Sequence, residues 1–322
     1  MGSACTKPLL VTFVNIQTSR MTRTITLVLL LLTVFQAAHA GGPWPRKKKT
    51  GYAQLGFTYV GYNSFFNNQG NVTSLRRQVT DFTSQVYLEY GLTDRLTLMT
   101  NLPFKYVSSG EDILNSDSTY FKDTVPNGNL FALNNVTLGL KYNIINKKVL
   151  FSAGFNAEAN VARYDSLTTL RTGPSAWVFN PYLSVGSSFV QGKLYTMLDA
   201  GMRFRTNNYS HEADFNFELG YSWNYKTYFA VSVAGRFSLQ NGSYDNNVTA
   251  APDTSDPASV SVHPFGRDLH TSLYPNNQQY LGYGLKFIQK IKKVHINAAV
   301  YFGTGQMVAA APSYNLGVAY EW

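Results

Sequence analysis

Tyr314-Asn315-Leu316-Gly317-Val318-Ala319-Tyr320-Glu321-Trp322 ends the sequence, and its alternation decides the fold class. Tyr314, Leu316, Val318, Tyr320 and Trp322 occupy every second position, with Asn315, Gly317, Ala319 and Glu321 between them. Period two means a strand with one apolar face and one small or polar face. Working back along the chain, the pattern recurs in twelve segments: roughly 52–62, 79–90, 95–107, 135–144, 149–161, 177–189, 194–206, 212–223, 227–239, 280–288, 293–302 and 314–322. In 79–90, Phe82, Val86, Leu88 and Tyr90 oppose Asp81, Thr83, Gln85 and Glu89.

The connections alternate in length. Gly91–Asp94, Asn146–Lys147, Gln191–Gly192, Asn224–Lys226 and Gln289–Lys292 are short, and Gln191-Gly192 suits a two-residue hairpin turn. Stretches 63–77, 108–130, 162–175, 207–210, 241–278 and 303–313 are mostly longer and polar. Short turns at one end and long loops at the other are the habit of a membrane barrel. A soluble sandwich or barrel would also alternate, but its solvent face would be rich in Lys and Glu. Here the polar set is Asn, Ser, Thr and Gly with scattered charges, which suits a wet lumen. The expected fold is all-β: a transmembrane antiparallel up-and-down β-barrel of about 12 strands, one domain over 41–322. The 22 Tyr and 21 Phe agree with it. Tyr90, Tyr142, Tyr221, Trp223, Phe287, Tyr320 and Trp322 gather beside the short turns, where an interfacial aromatic girdle in contact with membrane lipid is expected.

The N-terminus reads as a signal peptide. Arg20 and Arg23 precede an apolar run from Ile25 to Phe35, then Ala38-His39-Ala40. That run is too short to span a bilayer, which needs about 20 residues. Cleavage is expected after Ala40, and Met21 is a plausible true start, with 1–20 an extension. Three of the 27 Lys and Arg precede position 41 and none of the 18 acidic residues does, so the excess beyond it is 24 over 18. That mild, dispersed charge does not indicate nucleic acid as a partner. Arg46 to Lys49 reads as a solvated leader to the first strand. The single cysteine, Cys5, lies in the leader, which leaves no disulfide and no cysteine metal site. His211, His263, His270 and His295 lack metal-ligand spacing, so no metal or cofactor is expected.

Charges at inward parity are the candidate lumen lining: Arg95, Lys105, Asp199, Arg203, Arg205, Glu212, Asp214, Glu218 and Arg236. If 207–210 closes a simple hairpin, Arg205 faces Glu212, Arg203 faces Asp214, and Asp199 faces Glu218. The first two pairs would form a cross-strand ladder. Such a ladder either selects solutes at a constriction or rigidifies a filled lumen. The long loop 241–278 suggests an outer cap or plug. Its His270-Thr271-Ser272 resembles the His-x-Ser spacing of the outer-membrane phospholipase, but no Asn partner is evident and the pair lies in a loop.

Two resemblances extend this reading. A terminal aromatic such as Trp322 resembles the closing strand of bacterial outer-membrane barrels, which implies the barrel-insertion machinery as a partner. The run Glu89-Tyr90-Gly91-Leu92-Thr93-Asp94-Arg95-Leu96-Thr97-Leu98, then Asn101-Leu102-Pro103-Phe104, resembles a signature of the outer-membrane family labelled "putative MetA-pathway of phenol degradation". Gly91 and Asp94 suit its tight turn, and Pro103 needs a place where its missing N–H is tolerated. The resemblance implies a barrel in the outer membrane of a Gram-negative-type envelope, serving as a channel for small molecules, aromatic or apolar ones among them. A passive channel is therefore the first functional reading. A closed structural or partner-binding barrel is the second, and a lipid-acting enzyme the third.

Overall fold

The computed structural model describes residues 42–110, 127–242 and 276–322. The proposed signal peptide lies outside them, as do His263, His270 and Ser272. Among the described residues no helix is long and apolar enough to cross a membrane, and the chain is all-β.

Twelve antiparallel strands close a barrel. They are β1 (Gly51–Phe66), β2 (Val72–Gly91), β3 (Leu96–Ser109), β4 (Gly128–Leu133 continued by Val136–Asn146), β5 (Val149–Ala159), β6 (Val178–Phe189), β7 (Leu194–Arg205), β8 (Glu212–Ser222), β9 (Thr227–Ser238), β10 (Gln279–Ile291), β11 (Val294–Gln306) and β12 (Ser313–Glu321). Each pairs with its neighbour in sequence. β12 returns to β1, from Tyr52↔Glu321 to Val60↔Ser313, so no strand edge is left open. At the seam the Gly51 N–H donates to the Trp322 carbonyl and the Trp322 N–H to the Gly51 carbonyl.

Alternation sorts the side chains. Leu55, Phe57, Leu138, Leu140, Leu183, Val231, Leu285, Leu316 and Val318 stand exposed on the outer wall, while their strand neighbours turn inward. An outer wall this apolar is stable only against lipid.

Pro103 explains a break. β3 pairs with Val136–Asn146 only as far as Asn101, and with Gly128–Leu133 only from Phe104. Asn134 and Asn135 bridge the gap, and the Asn134 N–H donates to the Pro103 carbonyl. A proline has no N–H to return, so the ladder is interrupted beside it.

Two expectations on connections are corrected. The stretch 63–77 is mostly strand, because β1 and β2 continue pairing to Phe66↔Val72 around a bulge at Tyr62/Ser64. Only residues 67–71 turn, organised by the Asn67 side chain, which accepts the N–H groups of Gln69 and Asn71. Between β6 and β7 the turn has four residues, not two. Phe189 pairs with Leu194, and Val190, Gln191 and Gly192 all take positive φ.

Candidate functional site

The inner wall carries the chemistry, beginning with a belt of charge toward the long-loop end. Arg203 grips Glu158 with both terminal nitrogens, at 2.7 and 3.0 Å. Its Nε donates to Glu212 at 3.2 Å. Glu212, almost wholly buried, also lies 3.0 Å from Arg205 and 3.6 Å from Arg236. A two-pronged Arg–carboxylate contact is among the stronger polar contacts available to a protein.

The expected hairpin register is off by two. Arg203, not Arg205, faces Glu212; Gly201 faces Asp214; Asp199 faces Asn216. The cause is a six-residue connection, 206–211, in which Asn207 and Asn208 take positive φ. Thr206 instead donates its N–H to the Trp177 carbonyl, beside β6. A shift of two preserves parity, so every charge still points inward. Arg205 reaches Glu212 diagonally.

The expected Asp199–Glu218 pairing does not arise. Asp199 accepts the Ser184 hydroxyl. Glu218 faces Met197 and accepts from Tyr195 and Lys286, each at 2.6 Å. Asp214 accepts the Asn180 amide at 3.3 Å. Lys105 pairs with Asp81 at 2.5 Å. Arg95 is not lumenal; it sits exposed in the turn between β2 and β3.

The short-turn end is crossed by Arg46, expected in a solvated leader, and by the four residues before it. Gly42 to Arg46 enters the lumen as a strap. The Gly42 carbonyl accepts Lys141 at 2.8 Å, and the Pro43 carbonyl accepts Ser152 at 2.8 Å. Trp44 sets its ring edge-to-face with Tyr195, centroids 5.9 Å apart. Arg46 donates to Glu89 at 2.5 Å and to Glu321 at 2.9 Å, and lies over the Tyr52 ring. Only Lys47, Lys48 and Lys49 of the basic run are exposed. Glu89, Lys141, Lys286 and Glu321 were all at inward parity. Nothing in the sequence pointed to Arg46, which precedes the first strand.

The long-loop end is covered differently. Residues 160–177 form a finger whose Leu170 is fully buried against Val60, Tyr62, Val79 and Val107 on the inner wall. Asn135, at the break in β4, clasps both roots of the finger. Its amide donates to the Pro174 and Ala176 carbonyls, and its oxygen accepts the Val161 and Ala162 N–H groups.

Between the two ends lies a chamber of about 500 Å³ on the β7–β1 side, floored by the strap. Its tyrosines lie flat because glycines on the next strand make room. Tyr195 rests over Gly220 and Tyr301 over Gly284, and a Cβ on either glycine would run into the ring. The girdle residues Tyr90, Tyr142, Tyr221, Trp223, Tyr320 and Trp322 stand exposed on the outer wall at the short-turn end, Tyr320 stacked on Trp322.

The family model described as "Putative MetA-pathway of phenol degradation" matches residues 49–290. The crystal structure of an outer membrane channel from Pseudomonas putida F1 is similar at 15% identity, with a TM-score of 0.62, over 90% of this chain and 100% of that one. The KdgM porin aligns at 9% identity and a TM-score of 0.46, over 84% of this chain and 99% of the porin. No curated protein sequence matches the chain.

Proposed function

The chain belongs to the family described as "Putative MetA-pathway of phenol degradation", and from that premise we propose that it is an outer-membrane channel for passive passage of small solutes, aromatic compounds among them. The observation that carries this reading is a lumen that is neither filled nor bare. An apolar outer wall encloses a chamber of about 500 Å³ lined by paired charges, amides and flat tyrosines. A structural barrel of this size has no need of such a space, and side chains suffice to fill smaller barrels.

In this reading the short-turn end faces the periplasm. The girdle anchors the barrel in lipid, and the terminal Trp322 serves the insertion machinery. The strap sets the inner constriction. The belt around Arg203 and Glu212 gives the lumen a fixed field at its outer part. This reading assigns the chain no catalytic role.

A closed barrel is the second reading, favoured by the coverage at both ends. Planar-bilayer recording separates them. Protein comprising residues 41–322, refolded and inserted, should give discrete conductance steps, and Arg203→Ala should change their ion selectivity. A folded barrel with no steps and no liposome swelling would favour the closed reading.

A further inference from the structure

The chamber's wall narrows what can occupy it. The charges that line it are paired: Glu218 with Lys286 at 2.6 Å, and Glu321 with Arg46 at 2.9 Å and Lys290 at 3.0 Å. A charged solute would have to compete with these pairs, and one that broke a pair would leave a charge unmet. Aromatic surface is abundant. Tyr195 and Tyr301 present ring faces laid against glycines, and Trp44 stands edge-on to Tyr195. Flat rings on the wall of a small space suit a flat or nearly flat ring solute.

Hydrogen-bonding capacity is left over. Ser232 lines the chamber, is 4% exposed, and its hydroxyl has no partner among the described residues. Ser232 faces Gly284, and Gly284 faces Tyr301, so the hydroxyl lies in the same row as a flat ring. Gln85 and Asn297 also line the space, and their side-chain amides make no hydrogen bond to a described residue. A bare hydrocarbon would desolvate these groups without pairing them, at about 1–3 kcal/mol for each group left unmet. A ring bearing hydroxyls would pair them. The volume is within the range of small-molecule sites, about 300–1,000 Å³.

We propose that this chamber is a binding site for a small uncharged ring compound carrying hydroxyl groups, held against Tyr195, Tyr301 and Trp44 and hydrogen-bonded by Ser232, Asn297 and Gln85. The site deepens the channel reading and rests on it for its role in passage. Binding itself is separable from passage. An aromatic ring and a saturated one share the required chemistry, so both are used as probes.

The test is calorimetric titration of the detergent-folded barrel, residues 41–322, with catechol, inositol, toluene and benzoate, alongside conductance of the same preparation. Saturable binding of catechol or inositol is expected, with toluene and benzoate at least about 10-fold weaker. Catechol alone would identify the aromatic source, inositol alone the saturated one. Ser232→Ala and Asn297→Ala should each weaken binding about 3- to 10-fold, the loss of one hydrogen bond. Their unchanged heat-modifiable gel mobility would show the barrel folded. Equal binding of toluene or benzoate, binding unaffected by both substitutions, or conductance without any binding would overturn the site. Binding without conductance would keep the site and remove the channel.

Discussion

The two ends of the lumen are covered by opposite physics. At the long-loop end, Leu170 sits in an apolar nest of Val60, Tyr62, Val79 and Val107, and the roots of its finger are tied to the wall by Asn135. At the short-turn end, the strap is held by backbone carbonyls on Lys141 and Ser152 and by Arg46 between Glu89 and Glu321. Apolar contact is not screened by salt, whereas partly exposed ion pairs are screened within about 8 Å at physiological ionic strength. The barrel thus has one cover that answers to shape and one that answers to charge.

The largest way to break that contrast is at Asn135. Asn135→Ala removes four hydrogen bonds at the finger's roots and leaves buried backbone groups unmet. It should cost about 3 kcal/mol and expose 160–177 to protease, with no effect on the strap. Unchanged cleavage would show that Leu170 and the remaining bonds, such as that from the Thr172 hydroxyl to the Leu133 carbonyl, seat the finger without Asn135.

A smaller effect is expected at the other end. Ser152→Ala deletes one bond to the Pro43 carbonyl, which Asn143 also approaches at 3.4 Å. It should cost about 1 kcal/mol and raise conductance modestly. A loss as large as that of Asn135→Ala would mean the strap is anchored at Pro43 rather than at Arg46.

The smallest effect is with pH and concerns the finger's tip. The Thr168 hydroxyl, and then the Leu167 N–H, hold the Asp165 carboxyl below its ordinary value. A carboxyl depressed in the folded state contributes stability above its ordinary value and loses it as pH falls through the folded one. Protease sensitivity of 160–177 should therefore rise below the ordinary value of 3.8. Asp165→Asn should flatten that dependence; a variant that keeps it would place the titration elsewhere.

What was legible in the sequence follows the same division. Each strand's faces can be read from its own residues, so the barrel, the outer wall and the inward charges were accessible from alternation. Register depends on how a loop folds, and the two positive-φ asparagines in 206–211 moved Arg203 onto Glu212. Glu158 had the right parity, but its meeting with Arg203 joins two strands that are not neighbours. The strap and the finger have no period. Gly42 to Arg46 resembled any leader, and Asn135 resembled the first residue of a strand. Pro103 was the one local clue to the break in β4, and the finger hangs from that break.

In the proposed channel the inner constriction is an ion-paired strap. The most direct measurement is single-channel conductance of the barrel and of Arg46→Ala, at low and at high salt. After correction for bulk conductivity, the native barrel should open further as salt rises. Arg46→Ala should be more conductive at low salt and lose that dependence. Identical conductance for the two proteins at both salt concentrations would rule out the strap as the constriction.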